Sequence, residues 1–313
     1  MVTGGKDAPS QSVNPFREVE QDDTPADPPR PSPHQSPAFQ FIRQLGQDLA
    51  RGEFDLPPFP DTALKVQECI RDPDGDIQAL AAIVATEPAL AARLMRMANS
   101  AMMRRGPIEV TDIPTAISRV GMDMVQNAAV SFAAREAFQA APGSACIKDL
   151  NRLRRESVQI AAVAYVLGKQ VSAIRKPDEA MLAGLLNAVG KYYIFMKASD
   201  HPDLFSDRNA LEELVSQWHT GVARAIVEFW NFPESIAQAV DEQELVERDP
   251  IQSANLSDVL HIAGCIVRGG PGNLEELGKS DALARLRMSA EKLAQALHDN
   301  RDELQSMVEA LSG

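Results

Sequence analysis

The sequence predicts an all-α protein, and three observations support this fold class. Apolar residues recur at three- and four-residue spacing along nearly the whole chain from Phe39 onward. No segment shows sustained alternation of apolar and polar residues, and no Asn-Gly hairpin signal is present. Aromatic residues make up only 5% of the 313 residues, and the Ala-rich apolar stripes suit closely packed helices.

Proline, glycine and capping residues predict where the helices begin and end. The segment 56–60 contains three prolines and is predicted as an extended connector. Asp76 and Asp112 are predicted N-caps, and Pro88 and Pro114 suit the first turn of a helix. Further helices are predicted over residues 62–70, 77–86, 150–169, 178–196, 211–218, 222–230, 233–243, 256–268 and from 280 to the end.

The chain divides into three predicted segments. Residues 1–38 hold eight of the 21 prolines and few apolar residues, so we expect a disordered tail. The remainder is predicted as two packed helical halves, residues 39–148 and 149–313, with a break near the Pro-Gly-Ser sequence at 142–144. The chain is long enough for a substantial core.

The charge balance argues against binding to duplex nucleic acid. The chain has 31 Lys and Arg against 44 Asp and Glu, a formal net charge of −13, whereas phosphate contacts need clustered basic residues. The interpretation favoured for the basic residues of segment 77–105 is a solvated face of two packed helices. Binding of an acidic protein surface or a nucleotide phosphate stays open for the arginines, which are Arg93, Arg96, Arg104, Arg105, Arg152, Arg154 and Arg155.

Cysteine usage and hydropathy predict a cytoplasmic protein. Cys69, Cys146 and Cys265 are far apart, which excludes a disulfide framework and a thiol metal cluster. The first ten residues lack the apolar region of a secretory signal, and no apolar run reaches the length of a membrane helix. We therefore expect no membrane partner.

Several motifs resemble those of a known bacterial family. Leu-Pro-Pro-Phe-Pro at 56–60, Glu-Pro-Ala-Leu at 87–90 and the run Leu-Met-Arg-Met-Ala-Asn-Ser-Ala at 94–101 occur in order. Later segments are Leu-Ala-Gly-Leu-Leu at 182–186, followed by Gly190-Lys191, and His219-x-Gly221 leading to Trp-Asn-Phe-Pro at 230–233. Over residues 52–268 the chain resembles the HDOD domain, a helical relative of HD-type metal phosphohydrolases.

The resemblance implies where an HD metal site would lie. Such enzymes hold a divalent metal with a His, an adjacent His-Asp pair and a later Asp. The corresponding positions in this chain are Glu156, the pair Asn187-Ala188, and a position near Gly264. With alanine at one member of the pair and no bridging carboxylate, we interpret the metal site as vestigial and expect no metal or other cofactor.

Three further residues are candidate pocket or ligand contacts, namely Lys191, His219 and His261. For both histidines the favoured interpretation is a hydrogen-bonded, half-buried side chain rather than a ligand. The acidic stretch at 241–249 is interpreted most simply as a solvated face, and a basic partner for it stays open.

The favoured functional hypothesis is a non-catalytic bacterial regulatory protein that acts through protein–protein contacts. The resemblance implies a signalling partner from a two-component or cyclic-dinucleotide pathway. Two alternatives stay open: residual metal-dependent phosphohydrolase or phosphodiesterase activity, and nucleotide sensing without catalysis. The sequence does not indicate an oligomeric state.

Overall fold

The structure is a computed structural model that describes residues 58–100, 109–245, 252–270 and 274–312, with the isolated positions 41, 43, 46, 47 and 103. Within these ranges the secondary structure is helical and no β-strand occurs, which confirms the all-α prediction. The predicted tail over residues 1–38 lies outside the described residues, as do Arg104 and Arg105.

The helices follow one another with short connections. Their bounds are α1 Asp61–Arg71, α2 Ile77–Ala85, α3 Pro88–Ala98, α4 Ile113–Val120, α5 Met122–Ala137, α6 Ile147–Gln170, α7 Pro177–Leu186, α8 Val189–Ser199, α9 Pro202–Ser206, α10 Arg208–Phe229, α11 Glu234–Asp241, α12 Leu256–Gly269, α13 Leu274–Leu277, α14 Asp281–Arg285, α15 Ala290–Asp299 and α16 Arg301–Ser312.

The predicted caps are confirmed. The Asp76 and Asp112 side chains accept hydrogen bonds from the amides of Ala79 and Thr115, as N-caps do. The Asn99 amide donates to the Val110 carbonyl at 2.9 Å and accepts from its N–H at 2.8 Å. Asn99 thereby fastens the end of α3 to the segment that leads into α4.

Helix α6 is the central element of the fold. It packs against α7, α12 and α16, while α8 packs on α10. The contact between α6 and α7 is close, because a Cβ at Gly184 would lie 2.4 Å from the Ala161 Cα. Contacts of α5 with α7 and of α3 with α16 join the two predicted halves.

Three predicted helix boundaries are wrong. The predicted helix 178–196 breaks at Asn187-Ala188, where the Asn187 carbonyl accepts a hydrogen bond from the Gln243 side chain. The predicted break between 218 and 222 is absent, because His219 fills a buried position in a continuous apolar stripe of α10. The predicted C-terminal helix is three helices, with Arg287 at a positive φ of 55° between the first two.

The predicted solvated basic face of α3 is only partly correct. Arg96 is exposed, whereas Arg93 is 4% exposed and donates from Nε to the Ala310 carbonyl of α16 at 3.1 Å. The reason is that the C-terminal helix covers this part of α3, which the sequence pattern of α3 alone does not reveal.

Candidate functional site

An open cavity of about 790 Å³ lies beside the N-terminal half of α6. Helices α6, α8, α10 and α12 and the segment after α11 supply its walls. Three of the residues singled out from the sequence line it together, namely Glu156, Lys191 and His219. Two residues that the sequence analysis did not single out as site residues complete its polar centre, Glu244 and Arg268. This polar cavity is defined as the HD-position pocket.

Glu156 is held between two guanidinium groups. Its Oε1 lies 3.4 Å from Arg268 Nη1 and its Oε2 lies 3.6 Å from Arg152 Nη1. Only 17% of the Glu156 side chain is exposed. Both carboxylate oxygens therefore already face a positive charge.

Gly264 explains how Arg268 reaches Glu156. The two residues are one turn apart on α12, and a helical side chain lies over the turn that precedes it. A Cβ at Gly264 would lie only 2.4 Å from Arg268 Nη2, so the guanidinium occupies the space that a side chain at 264 would fill. The resemblance implies the later aspartate of HD enzymes near Gly264, and in this chain the arginine Arg268 occupies the space beside that glycine.

The predicted Asn187-Ala188 pair does not contribute side chains to the pocket. Asn187 is 2% exposed and its amide nitrogen donates to the Gly184 carbonyl, at the end of α7. Ala188 is also buried and carries no polar group. The pair marks the break between α7 and α8 and offers no ligand atom to the cavity.

His219 is positioned by close packing of α10 on the first turn of α8. A Cβ at Gly190 would lie 2.0 Å from the His219 carbonyl oxygen, so only glycine permits this approach. The His219 side chain is 1% exposed, and its Nε2 lies 3.0 Å from Glu244 Oε1. Nδ1 has no hydrogen-bond partner among the described residues.

The pocket shifts the pKa of its titratable groups. Burial lowers the pKa of His219, which favours the neutral imidazole. Contact with the His219 ring lowers the pKa of Glu244 to about 2, and the charges of Lys191 and Arg268 add to this effect. Burial lowers the pKa of Lys191, against the opposing attraction of Glu244 at 3.5 Å. Glu244 is thus ionised throughout the ordinary pH range.

His261 was a candidate pocket contact from the sequence, but it is not among the residues that line the HD-position pocket. Its Nδ1 contacts the Gln243 carbonyl at 2.9 Å, and its Nε2 lies 3.7 Å from Cys265 Sγ, one turn along α12. Contact with the thiol raises the pKa of His261, and contact with the imidazole lowers the pKa of Cys265. The favoured interpretation of His261 as a hydrogen-bonded, half-buried residue is confirmed.

Neither Glu244 nor Arg268 was identified from the sequence as a site residue. Glu244 belongs to the acidic stretch interpreted as a solvated face, and its side chain is indeed 38% exposed, but it also pairs with Lys191 and His219 within the protein. The sequence could have identified Arg268, because it follows Gly264 by one helical turn and residues at this spacing are neighbours on the helix surface. The nearby Arg208 and Asp149 form a further ion pair at 2.9 Å on the cavity wall.

The residues at the HD positions do not fit a divalent metal. Glu156 is neutralised by arginines, the Asn187 amide is turned toward its own helix, and Ala188 and Gly264 have no ligand atom. Among the described residues, no three His, Cys, Asp or Glu side chains are grouped as metal ligands would be. Arg152, Lys191 and Arg268 line the cavity, and each has a carboxylate partner there.

Comparison with known proteins identifies the family. A profile of the HDOD domain matches residues 56–246, more than half of the chain. The fold and the site therefore define the class of protein, which is an all-α domain with a polar pocket next to the positions implied for an HD metal site. The chain belongs to the HDOD family.

Solved structures share the fold at low sequence identity. A candidate metal-dependent phosphohydrolase from Shewanella amazonensis SB2B has a TM-score of 0.71 at 22% identity, over 88% of this chain and 99% of that one. An HDOD domain protein with unknown function from Geobacter sulfurreducens has a TM-score of 0.60 at 20% identity, over 86% and 97%. A candidate signal transduction protein from Marinobacter aquaeolei VT8 has a TM-score of 0.59 at 19% identity, over 90% and 68%.

A curated relative is longer than this chain. An uncharacterized protein of Treponema pallidum (strain Nichols) is 24% identical over 281 residues, which cover 85% of this chain and 52% of the relative. The chain therefore spans about half the length of that relative. No helix in the described part of the chain is both long and apolar enough to cross a bilayer.

Proposed function

We propose that this HDOD protein is a non-catalytic regulatory protein that acts through protein–protein contacts. The observation that carries the proposal is the Arg268 guanidinium, which lies over Gly264 and pairs with Glu156. In an HD-type hydrolase this region would serve a metal that activates water and polarises a phosphate. Here the same region carries an internal ion-pair network.

Hydrolysis assays test the non-catalytic character. Phosphodiester and nucleotide substrates are incubated with the full chain in the presence of Mn²⁺ or Mg²⁺, beside Glu156→Gln and the matched surface variant Glu291→Gln. We expect no turnover that depends on Glu156. Metal-dependent hydrolysis that is lost in Glu156→Gln and retained in Glu291→Gln would establish the residual hydrolase alternative.

A large exposed apolar side chain beside the pocket supports contact with another protein. Leu245 is 52% exposed and directly follows Glu244 of the pocket, whereas Phe229, which is 58% exposed, lies at the end of α10. Transfer of an exposed apolar side chain from water into an interface is favourable, so such a residue can contribute to the free energy of binding a partner. We propose a partner from a two-component or cyclic-dinucleotide pathway that binds near Leu245.

Crosslinking in the source bacterium tests this contact. Photocrosslinkers introduced next to Leu245 are expected to capture a signalling protein, and Leu245→Ser is expected to reduce its recovery several-fold. Phe229→Ser is the matched control, because it removes an equally exposed apolar side chain at another position. Equal recovery with both variants, or capture of no signalling protein, would contradict the assignment.

The size of the HD-position pocket favours nucleotide sensing as a second candidate function. Its volume of about 790 Å³ is within the range of small-molecule sites, and Lys191 lies on its wall. Calorimetry with cyclic dinucleotides tests this candidate. Saturable binding that is weakened in Lys191→Ala and unaffected in the remote Lys292→Ala would support it, and no binding would exclude these ligands.

A further inference from the structure

A second, smaller cavity lies across α6 from the HD-position pocket. Its volume is about 210 Å³, and helices α3, α5, α6, α8 and α16 contribute to its walls. Four arginines line it: Arg93 from α3, Arg135 from α5, and Arg154 and Arg155 from α6. This second cavity is called the arginine pocket.

The positive charges of the arginine pocket are not neutralised by acidic side chains. No Asp or Glu is among the described residues that line it, and none lies within 4.0 Å of these four guanidinium groups in that part of the chain. The HD-position pocket is different, because Lys191 and Arg268 there each have a carboxylate partner. The arginine pocket therefore has an excess of positive charge.

Arg93 is buried and Arg154 is half-buried, and both burials cost free energy. Arg93 is 4% exposed, and burial together with the nearby Arg135 and Arg96 lowers its pKa to about 10. Arg154 donates to the carbonyls of Arg135 and Phe138, yet its buried Nε has no hydrogen-bond partner among the described residues. Unpaired buried donors and charges are unfavourable unless a ligand satisfies them.

The other lining groups suit a phosphate ester. The Ser157 and Tyr192 hydroxyls lie 3.2 Å apart at the cavity wall, and because one donates to the other, one hydroxyl proton is left for an oxyanion. Val158 and Leu185 add an apolar surface for the rest of a small molecule. Guanidinium groups bind phosphate oxygens in a bidentate manner, and several of them together favour an anion with two negative charges over a carboxylate.

We propose that the arginine pocket binds a phosphate group, free or carried by a small metabolite, with Arg135 and Arg154 as its principal contacts. Arg93 also fastens the last turn of α16, through the Ala310 carbonyl. A loss of binding in an Arg93 variant would therefore not separate ligand contact from folding. Arg135 is exposed, and its side chain has no hydrogen bond or ion pair among the described residues, so it is the better position to change.

Calorimetry at low ionic strength tests the proposal on the full chain. The probes are inorganic phosphate and ribose 5-phosphate, and their relative affinities distinguish the free anion from a phosphorylated metabolite. We expect saturable binding of at least one probe, and about tenfold or greater weakening in Arg135→Ala, the effect of one lost charge-assisted hydrogen bond. Arg301→Ala, another exposed arginine, is expected to retain full affinity.

Three results would overturn the proposal. The first is the absence of binding of either probe by the unaltered chain. The second is equal weakening in Arg135→Ala and Arg301→Ala, which would indicate general charge attraction, and the third comes from a variant of the other pocket. Lys191→Ala locates the site, because a loss of phosphate binding in this variant and not in Arg135→Ala would assign the anion to the HD-position pocket.

Discussion

Gly190 shows how a single residue sets the geometry of the HD-position pocket. It lets the first turn of α8 touch the backbone of α10 at His219 and Ala223. Lys191 and His219 line the same cavity as a result.

We predict that Gly190→Ala destabilises the protein by about 1–3 kcal/mol, because the new methyl group meets backbone atoms that cannot rotate away. Gly221→Ala is the matched control in exposed helix, with no atom within 4 Å of the added Cβ. It is expected to stabilise by about 0.5–1 kcal/mol. Urea unfolding of both variants provides the measurement, and equal effects of the two substitutions would contradict the packing argument.

We predict that Glu244 makes stability depend on pH in the acidic range. Its pKa of about 2 in the folded protein is below the ordinary value of 4.5, so the unfolded chain binds protons first as the pH falls. The stabilisation is complete above the unfolded pKa and is lost as the pH falls from about 4.5 to about 2. Urea unfolding at pH 7 and pH 3 is therefore expected to show a smaller loss of stability for Glu244→Gln than for the unaltered chain.

The matched control for this prediction is Glu291→Gln. Glu291 also has a lowered pKa, but it owes this to Ser289, the N-cap of α15, at a fully exposed position. Removal of Glu291 is expected to change the pH dependence less than removal of Glu244. The same loss of stability between pH 7 and pH 3 in Glu244→Gln and in the unaltered chain would show that the Glu244 contacts do not contribute to folding.

The sequence predicted some of the site residues and missed others for a physical reason. Glu156, Lys191 and His219 were found because a family resemblance locates them. Glu244 was missed because it belongs to an acidic stretch, and composition does not tell which of these carboxylates lies beside Lys191 and His219. Arg268 was missed because its role depends on the missing side chain at Gly264.

At the scale of helices, the N-terminal caps could be predicted from the sequence, whereas the places where a helix breaks or continues could not. Asp76, Asp112 and Pro88 act through neighbouring backbone, so local sequence is sufficient to identify them. The break at Asn187 depends on Gln243, a residue distant in sequence. The continuity of α10 depends on burial of His219, which a pattern of apolar residues treats as an interruption.

We predict that the buried ion pair between α12 and α14 is a critical link between helices. Arg285 Nη2 lies 2.7 Å from Asp258 Oδ1, with both side chains at most 1% exposed. Arg285→Met would leave the Asp258 carboxylate buried without this partner and is expected to cost about 3–5 kcal/mol. Thermal and urea unfolding measure the loss.

Arg224→Met is the control for this link. Arg224 also contacts carboxylates, at 2.7 Å from Glu234, but the side chain of Glu234 is 70% exposed. Water screens this surface pair, so its removal is expected to cost about 1 kcal/mol or less. Equal losses in the two variants would contradict the importance assigned to burial.

At the scale of the whole molecule, the central helix α6 separates two cavities of different character. On one side Glu156 belongs to a network of ion pairs. On the other side Arg154 belongs to a group of arginines that have no carboxylate partner among the described residues. Arg155 lines both cavities. The all-α class and the family were predictable from the sequence, whereas the arginine pocket depends on the position of the C-terminal helix α16 over α3.

The central claim is that the HD positions of this chain hold an ion-pair network and no divalent metal. The most direct test is equilibrium dialysis of the full chain against Mn²⁺, with bound metal measured by mass spectrometry. The account predicts no more bound Mn²⁺ in the unaltered chain than in Glu156→Gln. One Mn²⁺ per chain, lost in Glu156→Gln and retained in the remote Glu291→Gln, would contradict it.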